Sequence, residues 1–122
     1  MKYVVVVKEG FWLNLSINHQ STEEAQYVFL KGEIDVYTST QLKEEIIPLV
    51  EKRGNKVIVD LTEVEYIDST GLGIFIGALK ASRKNESSIK LTGLSERVRR
   101  LFSITGLDEV IEIEETSREE AK

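Results

Sequence analysis

The stretch KVIVDLTEVEYIDSTGLGIFIGAL, residues 56–79, passes from one periodicity to another around a single Asp-Ser pair. Val57 to Leu61 is a nearly continuous apolar run bounded by Lys56 and Thr62-Glu63, which predicts a central strand covered on both faces. Leu72, Phe75, Ile76 and Leu79 then recur at helical spacing. The changeover falls at Asp68-Ser69, so the Ser69 hydroxyl is placed at a helix N-terminus. Unpaired N–H groups and the positive end of the helix dipole there would accommodate a phosphate, making Ser69 a candidate switch. Gly71, Gly73, Gly77 and Ala78 lie among the apolar residues of this helix and predict close approach of its backbone to a neighbour.

Outward from this strand and helix the same alternation of element types continues. Phe11, Leu13, Leu15 and Ile17 alternate with Trp12, Asn14, Ser16 and Asn18 as in a half-buried strand. Polar residues from Asn18 to Gln26 predict a loop or wide turn, and Tyr27–Leu30 a second strand ending at Lys31-Gly32. Thr38 or Ser39 can cap a helix whose face carries Leu42, Ile46, Leu49 and Val50. Pro48 should kink or loosen its last turn, and Gly54-Asn55 should end it. Downstream, Ile89–Leu91 reads as a short strand. Ser95 caps a helix bearing Val98, Leu101 and Phe102, Gly106 stops it, and Val110–Ile113 is the last strand. The order β-β-α-β-α-β-α-β predicts an α/β fold, a sheet of about four to five strands with parallel crossovers and helices packed against it.

At 122 residues the chain predicts one domain with a real core. Its 41% hydrophobic and 30% charged residues are the balance of a soluble globular protein. No apolar run reaches the roughly 20 residues of a membrane span, and the N-terminus lacks a signal-peptide pattern, so a cytoplasmic protein is expected. Without cysteine there is no disulfide or thiolate chemistry, and a single histidine, His19, argues against a metal site. A formal charge of −5 disfavours nucleic-acid binding and predicts a basic partner surface.

Other constellations are weaker. Gly71-Leu-Gly-Ile-Phe-Ile-Gly77 resembles a dinucleotide-binding glycine pattern, but it is one residue too long and falls inside the helix rather than in the turn before it. Ser69, His19 and either Asp35 or Asp60 could be written as a hydrolytic triad, yet no nucleophile elbow accompanies them, and His19 reads as a solvated loop residue. Arg97, Arg99 and Arg100 read as a solvated helix face. Glu33, Asp35 and Asp68 could rim a docking patch.

Lys-Gly-Glu-Ile-Asp-Val-Tyr at 31–37, Tyr-Ile-Asp-Ser-Thr-Gly-Leu-Gly at 66–73 and Leu-Ser-Glu-Arg-Val-Arg-Arg-Leu-Phe-Ser-Ile-Thr-Gly-Leu at 94–107 together resemble the anti-sigma factor antagonists, single STAS domains, most of all the branch controlling a general-stress sigma factor. The likeness spans about residues 13–113 and implies a STAS-like mixed sheet. It also implies partner switching. The unphosphorylated antagonist binds an anti-sigma factor that is a serine kinase, freeing the sigma factor. The kinase, with its ATP and Mg, phosphorylates the serine matching Ser69, and a serine phosphatase reverses this. The chain would then be no enzyme and need no cofactor of its own. Ser69 would be the phosphoacceptor, with Asp35, Asp68, Ser69, Thr70, Gly71 and Leu72 at the partner-binding face of a free monomer. Alternatives are a STAS subunit of a larger stress-sensing assembly, or a nucleotide-binding or hydrolytic domain.

The ends depart from the family pattern. Residues 1–12 precede the family's usual first strand. Lys8-Glu9-Gly10 is what a purine-rich ribosome-binding site would encode, with Leu13 as an alternative start, while the competing reading is a genuine extra strand at Tyr3–Val7. The charged residues 114–122 should form a frayed tail.

Overall fold

The computed structural model describes residues 2–7 and 14–114. They form a six-stranded mixed sheet whose spatial order follows the chain: β1 (Lys2–Val7), β2 (Leu15–Ser21), β3 (Gln26–Ile34), β4 (Lys56–Ile67), β5 (Ser88–Thr92) and β6 (Glu112–Glu114). β1, β2 and β3 are antiparallel neighbours; β3 through β6 run parallel. The parallel connections carry α1 (Ser39–Val50), α2 (Ser69–Lys84) and α3 (Glu96–Ile104), the last followed by a short 3₁₀ turn at Leu107–Glu109. The additional strand relative to the four or five expected is β1, which pairs along the outer edge of β2. Phe11 to Leu13 and the tail beyond Glu114 lie outside the described residues.

One face of the sheet carries the core. Leu15, Ile17, Val28, Leu30, Val57, Val59, Leu61, Ile89 and Leu91 are buried in a single cluster with Leu42, Ile46 and Val50 of α1, Leu72, Phe75 and Ala78 of α2, and Val98 and Phe102 of α3. Phe75 and Phe102 meet with ring centroids 6.0 Å apart, tying α3 to α2. Apart from Ala78, each such side chain contributes about 1.5–3 kcal/mol on burial. The opposite face is open: Ile58 and Asp60 of β4 are half-buried, and Phe29 stacks on Tyr27 at 6.4 Å in a partly exposed pair. β4 is thus central but covered on one face, a correction to the double coverage expected from its apolar run.

β4 also extends six residues past the expected end at Leu61. Between the rungs Phe29↔Asp60 and Glu33↔Tyr66, β3 advances four residues and β4 six, through two register shifts. These bulges turn Leu61, Val64 and Ile67 all inward, so the burial period becomes three. Gly32, at φ 120°, lies where β3 passes Asn14; a Cβ there would collide with the Asn14 carbonyl, which accepts the Glu33 N–H at 2.8 Å.

β2 likewise runs on to Ser21, so the expected loop at Asn18–Gln26 shrinks to a turn at 22–25. Pro48 is accommodated in the last turn of α1, which ends at Val50 rather than at Gly54-Asn55. The Asn55 amide donates to the Leu49 carbonyl at 2.8 Å and the Ser87 hydroxyl to that of Val50 at 2.5 Å, satisfying carbonyls the helix leaves open.

Candidate functional site

The parallel rung Ile34↔Ile67 brings the C-terminal ends of β3 and β4 side by side, and each strand leads into a helix. Two acidic turns therefore adjoin. The Asp68 N–H donates to the Ile34 carbonyl at 3.1 Å, locking one turn to the other.

In the first turn the Asp35 carboxylate accepts the N–H groups of Tyr37 and Thr38 at 2.9 and 3.0 Å. Thr38 is fully buried; its hydroxyl accepts the Asp35 N–H at 2.9 Å and donates to the Glu33 carbonyl at 2.8 Å. Thr38 occupies the N-cap position of α1, as the sequence suggested, but its side chain points back into the turn and caps no helical N–H. With the backbone held by Asp35 and Thr38, Val36 and Tyr37 are turned outward, 58% and 68% exposed.

In the second turn Asp68 has extended backbone and its carboxylate accepts the Gly71 N–H at 3.0 Å. Such a cap contributes about 1 kcal/mol. Because Asp68 takes this role, Ser69 becomes the first helical residue, exposed and with no hydrogen bond from its hydroxyl among the described residues. Thr70 is exposed beside it, whereas Gly71 and Leu72 are buried and hold the helix start against the sheet. A Cβ on Gly71 would lie 2.6 Å from Ile34 Cγ2 and 2.8 Å from Ile67 Cγ1. Close approach thus explains Gly71, whereas Gly73 and Gly77 have nothing within 4 Å of a built Cβ.

All six sequence-derived positions, Asp35, Asp68, Ser69, Thr70, Gly71 and Leu72, therefore gather at one edge. Val36, Tyr37 and Tyr66 complete it as exposed apolar side chains; Tyr66 is 46% exposed. For Val36 and Tyr37 the signal in the sequence was the aspartate just before them, which predicts a side-chain-closed turn that lifts the next residues off the core. Beside the edge is a mostly apolar cavity of about 430 Å³ between β4 and α3, lined by Tyr66, Ile67, Asp68, Arg97, Arg100 and Leu101 among others. A larger open concavity of about 870 Å³ runs along β2, β3 and β4, where Lys31 and Arg97 share the wall with Glu63 and Glu65.

The geometry separates the other constellations from this edge. His19 is a half-buried residue of β2 rather than of a loop, and its Nε2 lies 2.7 Å from Gln26 Oε1. It sits opposite Val28, which pairs with Val59, well upstream of Ile67, so no Ser-His-Asp triad forms with Ser69. Asp60 instead accepts the Thr62 N–H at 2.8 Å. Gly71, Gly73 and Gly77 all lie within α2, where their backbone cannot form a phosphate-cradling loop before the helix.

Residues 16–120 match the STAS domain family. The chain is 44% identical over 107 residues to the anti-sigma-B factor antagonist of Listeria monocytogenes, an alignment covering 88% of this chain and 93% of that protein. Its fold resembles the crystal structure of an anti-sigma factor antagonist from Mycobacterium paratuberculosis, with a TM-score of 0.75 at 24% identity over 86% of this chain and 89% of that one. It also resembles the Bacillus cell fate determinant SpoIIAA in its phosphorylated form, with a TM-score of 0.64 at 19% identity over 84% and 94% of the two chains. The chain belongs to the STAS-domain family, within its group of anti-sigma factor antagonists.

Proposed function

We propose that the chain is an anti-sigma factor antagonist that works by partner switching in the bacterial cytoplasm, acting as ligand and substrate rather than enzyme. Unphosphorylated, it docks an anti-sigma factor with serine-kinase activity through the edge formed by Asp35, Asp68, Ser69, Thr70, Gly71 and Leu72, with Val36, Tyr37 and Tyr66 supplying apolar contact. The bound sigma factor is released to transcribe stress-response genes. In the reverse step the Ser69 hydroxyl oxygen takes the γ-phosphoryl group of Mg-bound ATP, ADP leaves, and the hydroxyl proton passes to a base supplied by the kinase. A serine phosphatase resets the protein by hydrolysis. The observation that carries this reading is the division of labour at the start of α2: Asp68 caps the helix, leaving the adjacent Ser69 hydroxyl exposed and unengaged.

Phosphorylation adds about −1.5 to −2 charges at a surface that already carries two carboxylates. Turning a complex from nearly full to nearly absent takes roughly 5.5 kcal/mol of differential binding. Desolvating that charge in an interface, together with the loss of a hydrogen-bonded contact, reaches that scale. The fold itself does not depend on the hydroxyl, so the switch acts on binding.

The test is to mix the purified chain with an anti-sigma kinase and Mg-ATP and to follow intact mass and complex formation. Stoichiometric phosphate on Ser69 with loss of the complex is expected. Ser69→Ala should bind and not be released, and Ser69→Asp should bind poorly. Equal binding of Ser69→Asp and wild type, or phosphate on another residue, refutes the assignment.

A further inference from the structure

The cavity beside the docking edge carries a feature the switch does not use. Its walls bring Asp68, the residue bonded directly to Ser69, together with Arg97 and Arg100 of α3. Both arginines are exposed and neither side chain has an ion pair or hydrogen bond among the described residues. The Asp68 carboxylate is not their partner, since it faces the Gly71 N–H. Two arginines without a side-chain partner among the described residues therefore line a space that also reaches the residue preceding Ser69. Ser69 does not itself line this space, but it follows Asp68 directly, its Cα about 3.8 Å from that of a residue that does. Guanidinium is the side chain best matched to phosphate oxygens, through paired N–H donors.

We propose that Arg97 and Arg100 form an internal receptor for the phosphate of phosphorylated Ser69, drawing it across the cavity toward α3. The proposal rests on Ser69 being the phosphorylated residue and adds what becomes of the phosphate afterwards. The new charge is answered within the same molecule, so the phosphorylated chain is a stable species rather than a strained one. The switch then also changes α3: two free cations at the docking edge become engaged, and the mouth of the cavity narrows. A partner that met an open apolar cleft meets instead a narrowed one whose phosphate has to be desolvated on docking. Arg97 and Arg100 are thus positioning residues for the phosphorylated state.

The test uses the full chain with phosphoserine installed at position 69 during translation, so that no kinase is needed. The ³¹P shift is followed from about pH 4 to 8, across the second ionisation of the phosphate near 6. Guanidinium groups facing the phosphate favour its dianion, so the midpoint in the wild-type chain should lie about half a pH unit or more below that of Arg97→Gln/Arg100→Gln. Arg53→Gln removes an equal kind of charge from the Arg53–Glu86 pair beyond the other end of β4, and should leave the midpoint unchanged. Equal midpoints in the wild type and the double variant overturn the proposal. So does a shift of half that size or more from Arg53→Gln, which removes one charge rather than two and would mark a net-charge effect. Kinase treatment of the unmodified chain is a separate arm: phosphate appearing elsewhere refutes the Ser69 switch, whereas an unshifted midpoint refutes only the arginine receptor.

Discussion

Gly71→Ala should destabilise the protein although it removes a glycine from a helix. On an open helix surface that exchange gains about 0.5–1 kcal/mol, because glycine is conformationally free in the unfolded chain. At Gly71 the new Cβ would sit 2.6 Å from Ile34 Cγ2, 2.8 Å from Ile67 Cγ1 and 3.1 Å from the Ile34 carbonyl oxygen. Both isoleucines are buried, and that carbonyl already accepts the Asp68 N–H, so relief requires the ends of β3 and β4 to move. Overpacking of this kind costs about 1–3 kcal/mol. The net loss is about 0.5–2 kcal/mol, which lowers the melting temperature by about 2–8 °C in a domain of this size. Gly73→Ala meets nothing within 4 Å and should gain the helical increment instead. Urea unfolding of the two variants beside wild type reads both signs in one experiment. A Gly71→Ala protein as stable as Gly73→Ala would refute the tight seating of α2 on the two strand ends.

Asp68 supports both cap and charge, and two variants separate them. Asp68→Asn keeps an oxygen for the Gly71 N–H and should unfold within about 0.5 kcal/mol of wild type, whereas Asp68→Ala should lose about 1 kcal/mol; equal denaturation midpoints for the two would dismiss the cap. Thr38→Val leaves the Asp35 N–H and Glu33 carbonyl without their buried partner and should lose about 1–3 kcal/mol in chemical denaturation; an unchanged midpoint would show that the turn does not depend on the hydroxyl. Tyr37→Ser, in an exposed side chain, should leave stability within about 0.5 kcal/mol while weakening capture of the anti-sigma partner by about 5- to 30-fold, read by titration calorimetry; undiminished binding would remove Tyr37 from the docking edge.

The helix of residues 69–84 was legible because its apolar positions keep one period and an aspartate stands at its start. The second half of β4 was not. Leu61, Val64 and Ile67 are spaced by three, a pattern that belongs to neither a flat strand nor a full helix. It arises from bulges that depend on the register with β3, which no local pattern contains. The one-sided burial of β4 was hidden for a related reason: Val-Ile-Val-Asp-Leu places apolar Ile58 on the open face, where a neighbouring strand rather than a helix sets its environment. At the site, aspartate and serine are both cap-forming residues, and the hydrogen bond that the Gly71 N–H donates to Asp68 divides the roles between them. Arg97 and Arg100 looked like solvated charges because their proximity to Asp68 is created by packing of α3 across β4, far apart in the chain.

The strand order of the sheet bears on how the protein is made. Since every strand lies beside the one synthesised before it, each emerging strand finds its template already in place. Nothing in this sheet has to wait for a distant segment to fill a gap. The proposed docking edge has left the ribosome once β3, α1, β4 and the first turn of α2 are made, while Arg97 and Arg100 of α3 arrive later. A nascent chain would therefore expose Ser69 before Arg97 and Arg100 emerge, and before Phe102 of α3 has come to cover Phe75 of α2.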